Sequence, residues 1–275
     1  MAAPSFSLND GRQIPQVGFG VWQIAESEAA RVVGEAISAG YRLIDTATIY
    51  GNERGVGQAL REAAVPPSDL FVTTKLWNDA HGRDAALRAF DESLARLQLD
   101  RVDLYLIHWP APQRGAYVET WRALTELKSQ GRARSIGVSN FTVEHLEKII
   151  GETGVVPAIN QIELHPRWPQ DALRDFHRRH GIVTQSWSPL GQGQLIGDAT
   201  VAAVASKMRR TPAQVLLRWH LQLGLLAIPK SEKLTRIREN LQVFDFSLDE
   251  ADMKALSSLK DPRGRIGPDP ETADF

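Results

Sequence analysis

Eight short apolar runs recur along the 275-residue chain: IPQVGFG, YRLID, LFVTTK, VDLYLIH, RSIGVSN, PAINQIE, IVTQSW and LLAIPK. Between them lie stretches such as ESEAARVVGEAISAG, RDAALRAFDESLARLQL and YVETWRALTELKSQG, with apolar residues at three and four spacing and a glycine closing some of them. Strands that alternate with helices pair in parallel. Eight such units are the number that closes into a (β/α)8 TIM barrel, with a doubly wound open sheet as the alternative. The length suits one barrel domain over residues 1–275, and no linker, repeat array or low-complexity block divides it.

The flanks carry their own signals. SFSL and RQIP bracket an Asn-Asp-Gly turn, which predicts an N-terminal β-hairpin capping the bottom of the barrel. TPAQVLLRWHLQLG predicts a helix with Thr211 as N-cap and Pro212 at its first position, and SLDEADMKALSSL another capped by Ser247. These are the extra C-terminal helices. The last stretch, PRGRIGPDPETADF, is too rich in Pro, Gly and charge for either kind of element.

Composition narrows the partners. With 32 basic against 33 acidic residues the net charge is -1, which shows no electrostatic footprint for nucleic acid or an anionic membrane. Zero cysteines exclude disulfides, thiolate metal sites and a cysteine nucleophile. With no signal-like opening and no membrane-length apolar run, the expectation is a cytoplasmic protein, monomeric by default, acting on a small molecule.

Barrel chemistry gathers at the C-terminal ends of strands. Polar residues there are Asp45 and Tyr50, Lys75 with Asn78, His108, Ser139 and Asn140, Gln161 and Glu163, Ser186, and Lys230 with Ser231. Any one of them taken alone reads better as a loop or cap residue. Together, a lysine, an aspartate, a tyrosine and a histidine at one mouth can perform acid-base chemistry on a carbonyl without a metal. Lys75 is expected to lower the pKa of the Tyr50 phenol, Asp45 to keep Lys75 charged, and His108 to orient the reacting oxygen.

The segments LIDTATIYGNE, TTKLWN, LYLIHWP, SIGVSNF, NQIELHP, SWSPLGQG and LAIPKS with RIREN resemble, in order and spacing, the signature segments of the aldo-keto reductase superfamily. Within it the chain looks most like the bacterial 2,5-diketo-gluconate reductase group. The resemblance implies a catalytic tetrad of Asp45, Tyr50, Lys75 and His108, with Tyr50 as proton donor to the carbonyl being reduced. It implies a nicotinamide held through its carboxamide by Ser139, Asn140 and Gln161 and stacked on Trp187, where the family more often has tyrosine. Trp187 alone reads equally as a core aromatic.

By the same resemblance Ser188, Leu190, Gly191 and Gln192 would contact the pyrophosphate. Lys230, Ser231 and Arg236 would contact the adenosine 2′-phosphate, and Glu239 and Asn240 the adenine. NADPH is then the expected cofactor, with NADH a weaker alternative because Glu232 stands beside the phosphate site. Lys230, Glu232 and Lys233 also read as an ordinary solvated helix start. GLLAIPKS is not a P-loop, since Pro229 occupies the second glycine position.

The implied substrate walls are Trp22, Trp77 and Trp109 over Tyr50 and His108, with Trp22 where the diketo-gluconate group looks more like phenylalanine. A short PAPQRGAY loop and a short tail predict an open pocket for dicarbonyls, keto esters or keto-sugar acids. Arg263 and Arg265 are candidates to attract a carboxylate. A metal-dependent hydrolase lacks its histidine clusters here, so no metal site is expected, and a serine hydrolase lacks its nucleophile elbow. The remaining alternative is a cofactor-binding sensor or regulatory subunit on the same fold with little turnover.

Overall fold

The computed structural model describes residues 4–273 and residue 275. A hairpin of β1 (Ser5–Ser7) and β2 (Gln13–Pro15) precedes a parallel sheet of eight strands. These are β3 (Phe19–Gly20), β4 (Leu43–Asp45), β5 (Phe71–Leu76), β6 (Val102–Ile107), β7 (Ala133–Ser139), β8 (Ile159–Glu163), β9 (Val183–Trp187) and β10 (Leu226–Ala227). The crossovers are α1 (Glu26–Ala39), α2 (Glu53–Glu62), α3 (Arg83–Leu97), α4 (Tyr117–Ser129), α5 (Val143–Thr153), α6 (Asp171–His180) and the pair α7 (Ala199–Met208) and α8 (Pro212–Gln222). α9 (Leu234–Leu241) and α10 (Glu250–Ser257) follow the last strand.

Neighbours in the sheet run in chain order from β3 to β10. The two ends then meet: Val17 bridges Ala227 in parallel, Gly18 N–H donates to Ala227 O, and Gly20 N–H donates to Pro229 O. This closure makes a (β/α)8 barrel and removes the open-sheet alternative. The run IPQVGFG proves to be two things, since Ile14 and Pro15 belong to the hairpin while Gln16 to Gly20 form the barrel wall, Gln16 O accepting from Ala227 N–H.

Strand periodicity decides what faces inward. Leu43 and Asp45 share one face of β4, and Phe71, Thr73 and Lys75 share one face of β5; the register pairs Asp45 with Thr73 and Lys75 with Leu106. The bottom of the barrel is plugged by Leu43, Phe71, Leu104, Ile159 and Leu226 together with Ile14 from the hairpin. Polar side chains occupy the top. The outward residues of the same strands, among them Ile44, Val72, Tyr105 and Val138, join the helices in the main core.

Two helix starts were open to prediction. α8 begins as expected, with the Thr211 side chain accepting from Gln214 N–H in a capping box and Pro212 at the first position. α10 is capped by Asp249, whose side chain accepts from Asp252 N–H, and not by Ser247. Leu248 lies between them, buried, with its N–H donating to Gln222 Oε1 and its carbonyl, which a cap at Ser247 would commit to the helix, accepting instead from Gln222 Nε2.

Buried histidines carry a pH consequence. His177 bonds Thr184 and Asn160, and His220 lies against Pro189 O at 3.0 Å; burial pushes each down to about 3 from an ordinary 6.5. Between those values the unfolded chain takes up protons that the folded chain refuses, so their stabilisation is present above the ordinary value and lost as pH falls. Urea midpoints should therefore drop between neutral pH and about pH 4.5, with His177→Asn flattening the slope. A His177→Asn variant with the wild-type slope would show that His177 takes up its proton as readily in the fold as in the unfolded chain.

Candidate active site

The sequence-predicted residues converge on one cleft of about 1160 Å³ at the C-terminal end of the barrel. Its centre is a buried ion pair. Lys75 Nζ lies 2.5 Å from Asp45 Oδ1, donates to Thr46 O at 2.9 Å and reaches Tyr50 Oη at 3.4 Å. Asp45 Oδ2 accepts from Gln161 Nε2 at 2.8 Å, so both carboxylate oxygens are engaged and the pair meets the requirement for burial.

The electrostatics follow from burial and charge. Burial pulls the Lys75 ammonium down, but Asp45 and Tyr50 more than reverse this, and its pKa lies above the ordinary lysine value. Burial pushes the Tyr50 phenol up, while Lys75 pulls it back in part, so the net shift is upward. This corrects the expectation of a lowered phenol: desolvation outweighs the ammonium, and Tyr50 stays protonated at neutral pH. His108 is pushed well below the imidazole value by burial and then by Lys75, and its ring is neutral. It packs edge-on against Tyr50 at 5.6 Å and Trp77 at 5.2 Å.

Around this centre the strand ends form a second layer. Ser139 Oγ donates to Gln161 O, Asn140 Nδ2 donates to His108 O and Ser139 Oγ, and Trp187 Nε1 donates to Asn140 Oδ1 at 2.8 Å. The three expected amide-binding residues thus bond one another. Asn140 and Gln161 reach the wall, and Ser139 lies behind it, 1% exposed. Asn140, Ser188 and Gln192 all adopt positive φ, at 62°, 48° and 51°, a conformation few non-glycine residues take. Strained backbone is concentrated at this mouth.

Trp187, Ser188, Leu190 and Gln192 line the cleft, while Gly191 is buried beneath them. Lys230, Ser231, Arg236, Glu239 and Asn240 line its far end, with Arg236 and Asn240 one turn apart on α9. There Lys230 Nζ is paired with Glu232 Oε1 at 2.6 Å. Trp22, Trp77 and Trp109 wall the near end, as the sequence led us to expect. Arg263 and Arg265 do not line it: Arg263 is exposed, and Arg265 pairs with Asp269 and covers the Trp168 ring.

Ile49, Pro268 and Phe275 also line the cleft and were missed. Phe275 stacks on Trp77 at 5.6 Å and meets Trp109 edge-on at 5.4 Å, with its carbonyl accepting from Asn78 Nδ2. Nothing local in the sequence marks that role. Among the described residues the large hydrophobic side chains left exposed are Trp22, Ile49, Ile196 and Phe275, and all four line this cleft. Such concentration of exposed apolar surface marks a binding site.

The comparisons agree with the geometry. Residues 16–261 match the model described as the aldo/keto reductase family. The chain is 53% identical over 273 residues to an aldo-keto reductase of Mycolicibacterium smegmatis, covering 99% of each chain. It is 51% identical over 271 residues to methylglyoxal reductase DkgA of Yersinia pestis, covering 98% of this chain and 96% of that one. A crystal structure of a Gox0644 variant in complex with NADPH superposes with a TM-score of 0.97 at 53% identity, covering 100% of both chains. The chain belongs to the aldo/keto reductase family.

Proposed function

We propose that this chain, an NADP-dependent oxidoreductase, reduces small neutral aldehydes and ketones to alcohols, with NADPH as hydride donor and Tyr50 as proton donor. The observation that carries the reading is the Tyr50 hydroxyl, still protonated, beside a charged Lys75 in an apolar cleft. The cofactor fits the residues present. Trp187 lines the cleft with its indole held by Asn140, and Lys230 and Arg236 place two cations at its far end.

When bound, the nicotinamide supplies the hydride that reduces the carbonyl carbon. Tyr50 then gives its phenolic proton to the carbonyl oxygen as negative charge develops there. Lys75 stabilises the phenolate left behind, and Asp45 keeps Lys75 charged. His108, neutral, donates a hydrogen bond to the same oxygen and orients it. Trp22, Trp77, Trp109 and Phe275 exclude water from the reacting centre. In this reading Asn140 and Gln161 hold the carboxamide, Ser139 supports Gln161 from behind the wall and does not reach the cleft as the sequence implied, and the 188–192 loop holds the pyrophosphate.

The substrate end of the cleft is walled by Trp22, Ile49, Trp77, Trp109 and Phe275, and no cationic side chain lies among them. A carboxylate brought there has no partner to offset its desolvation. This favours 2-oxoaldehydes, aromatic aldehydes and keto esters over keto-sugar acids. The relative named methylglyoxal reductase supports the first of these. The ethyl ester of a 2-keto acid should show kcat/KM at least about tenfold above the free acid. Equal values would point to an unseen carboxylate partner.

The function itself is tested by NADPH oxidation against a panel of dicarbonyls, aromatic aldehydes and keto esters. Turnover supports the reductase, whereas tight NADPH binding with none would favour a sensor. We place the enzyme in the cytoplasm as one barrel domain, monomeric because the exposed large apolar side chains among the described residues all serve the cleft. No helix among those residues is long and apolar enough to cross a membrane. Light scattering at micromolar concentration checks the monomer.

A further inference from the structure

Glu163 ends β8 at the barrel mouth, is 4% exposed, and has no part in the chemistry above. A buried carboxylate needs partners on both oxygens. It has three: His165 Nε2 lies 2.9 Å from Oε1, Ile266 N–H donates to Oε1 at 2.7 Å, and Gly267 N–H donates to Oε2 at 2.7 Å. The two amides belong to the C-terminal tail, 103 and 104 residues further along the chain. Two short charge-assisted bonds from consecutive amides fix both the position and the direction of that segment.

Gly267 is constrained from its other side as well. A Cβ there would fall 2.6 Å from Trp187 Cη2 and 2.9 Å from Glu163 Oε2, so only glycine permits this approach. Glu163 and Trp187 are register partners on β8 and β9. Carboxylate, tail backbone and indole therefore form one packed layer, with the indole N–H anchored on Asn140. Beyond it the tail crosses the mouth, where Gln113 Nε2 donates to Glu271 O at 2.9 Å and Phe275 stacks on Trp77.

We propose that Glu163 is a positioning residue that clasps the tail across the mouth. Through Gly267 it sets the plane of Trp187, and through the segment beyond it sets the reach of Phe275 over the substrate. The kinetic consequence rests on the reductase reading; the clasp itself rests on geometry alone.

Glu163→Gln in the full-length protein tests it, because glutamine keeps the volume while turning one acceptor oxygen into a donor that faces an amide N–H. Amide hydrogen exchange over residues 264–267 should accelerate about tenfold or more. With an aromatic aldehyde, KM should rise about five- to tenfold while kcat changes much less. Phe275→Ala should raise KM too, and the double variant should be no worse than the larger single, since both act through one segment.

Wild-type exchange in the tail of Glu163→Gln, or losses that multiply in the double variant, would overturn the proposal. Should Glu163→Gln fail to fold, Gly267→Ala reaches the same contact from the tail and must give the same exchange and KM signature. A protected tail in that variant would also overturn it. The exchange is read without substrate, so an enzyme that turned over no carbonyl would sink the reductase reading and leave the clasp to be decided on its own.

Discussion

Tyr50→Phe should lower kcat by about a thousandfold while leaving the dissociation constant for NADPH within about twofold, the loss expected when a general acid is removed from an otherwise intact site. The substitution removes one oxygen and keeps the ring that packs against His108. It also spares the buried pair, since Lys75 retains Asp45 and Thr46 O as partners. Lys75→Met is a poorer probe, because it strands Asp45 as an unpaired buried carboxylate and costs about 3–5 kcal/mol of stability. Steady-state rates beside a titration of tryptophan quenching by NADPH separate chemistry from binding. Turnover within tenfold of wild type would remove Tyr50 from the acid role.

Arg236→Ala or Lys230→Gly should weaken NADPH by about ten- to a hundredfold and NADH by less than about threefold, since the proposed charge-assisted bond to a 2′-phosphate would be made with one cofactor and not with the other. Glu232 makes the sign of a companion variant informative. Its carboxylate pairs with Lys230 at 2.6 Å and competes with any phosphate brought to that amine. Glu232→Gln should therefore tighten NADPH a few-fold and leave NADH unchanged. Equal losses on both cofactors in Arg236→Ala would show that the cleft's far end does not read the 2′ position.

How far the chain could be read from its sequence varies with the range of the interaction concerned. Strand and helix order was legible because periodicity and capping are local: Thr211, Pro212 and Gln214 announce α8 within four residues. That Asp45, Tyr50, Lys75 and His108 gather at one mouth was legible because each stands at or just past the end of an apolar run. The misplaced cap at Ser247 has a long-range cause, since the Leu248 backbone is held by Gln222 on another helix. Phe275 and Glu163 were opaque for the same reason, as their partners lie 197 and 104 residues away. The direction of the Tyr50 shift required the depth of burial, which residue types alone do not give.

The seam where Val17–Gly20 meet Ala227–Pro229 has a consequence for the order in which the protein is made. Asp45, Tyr50, Lys75 and His108 lie in the first half of the chain, whereas Lys230, Arg236 and Asn240 lie just beyond the last strand. During synthesis from the N-terminus these four residues emerge long before the wall proposed to receive the dinucleotide. A nascent chain that has not yet reached Ala227 therefore carries these four side chains in a barrel that cannot close against Val17.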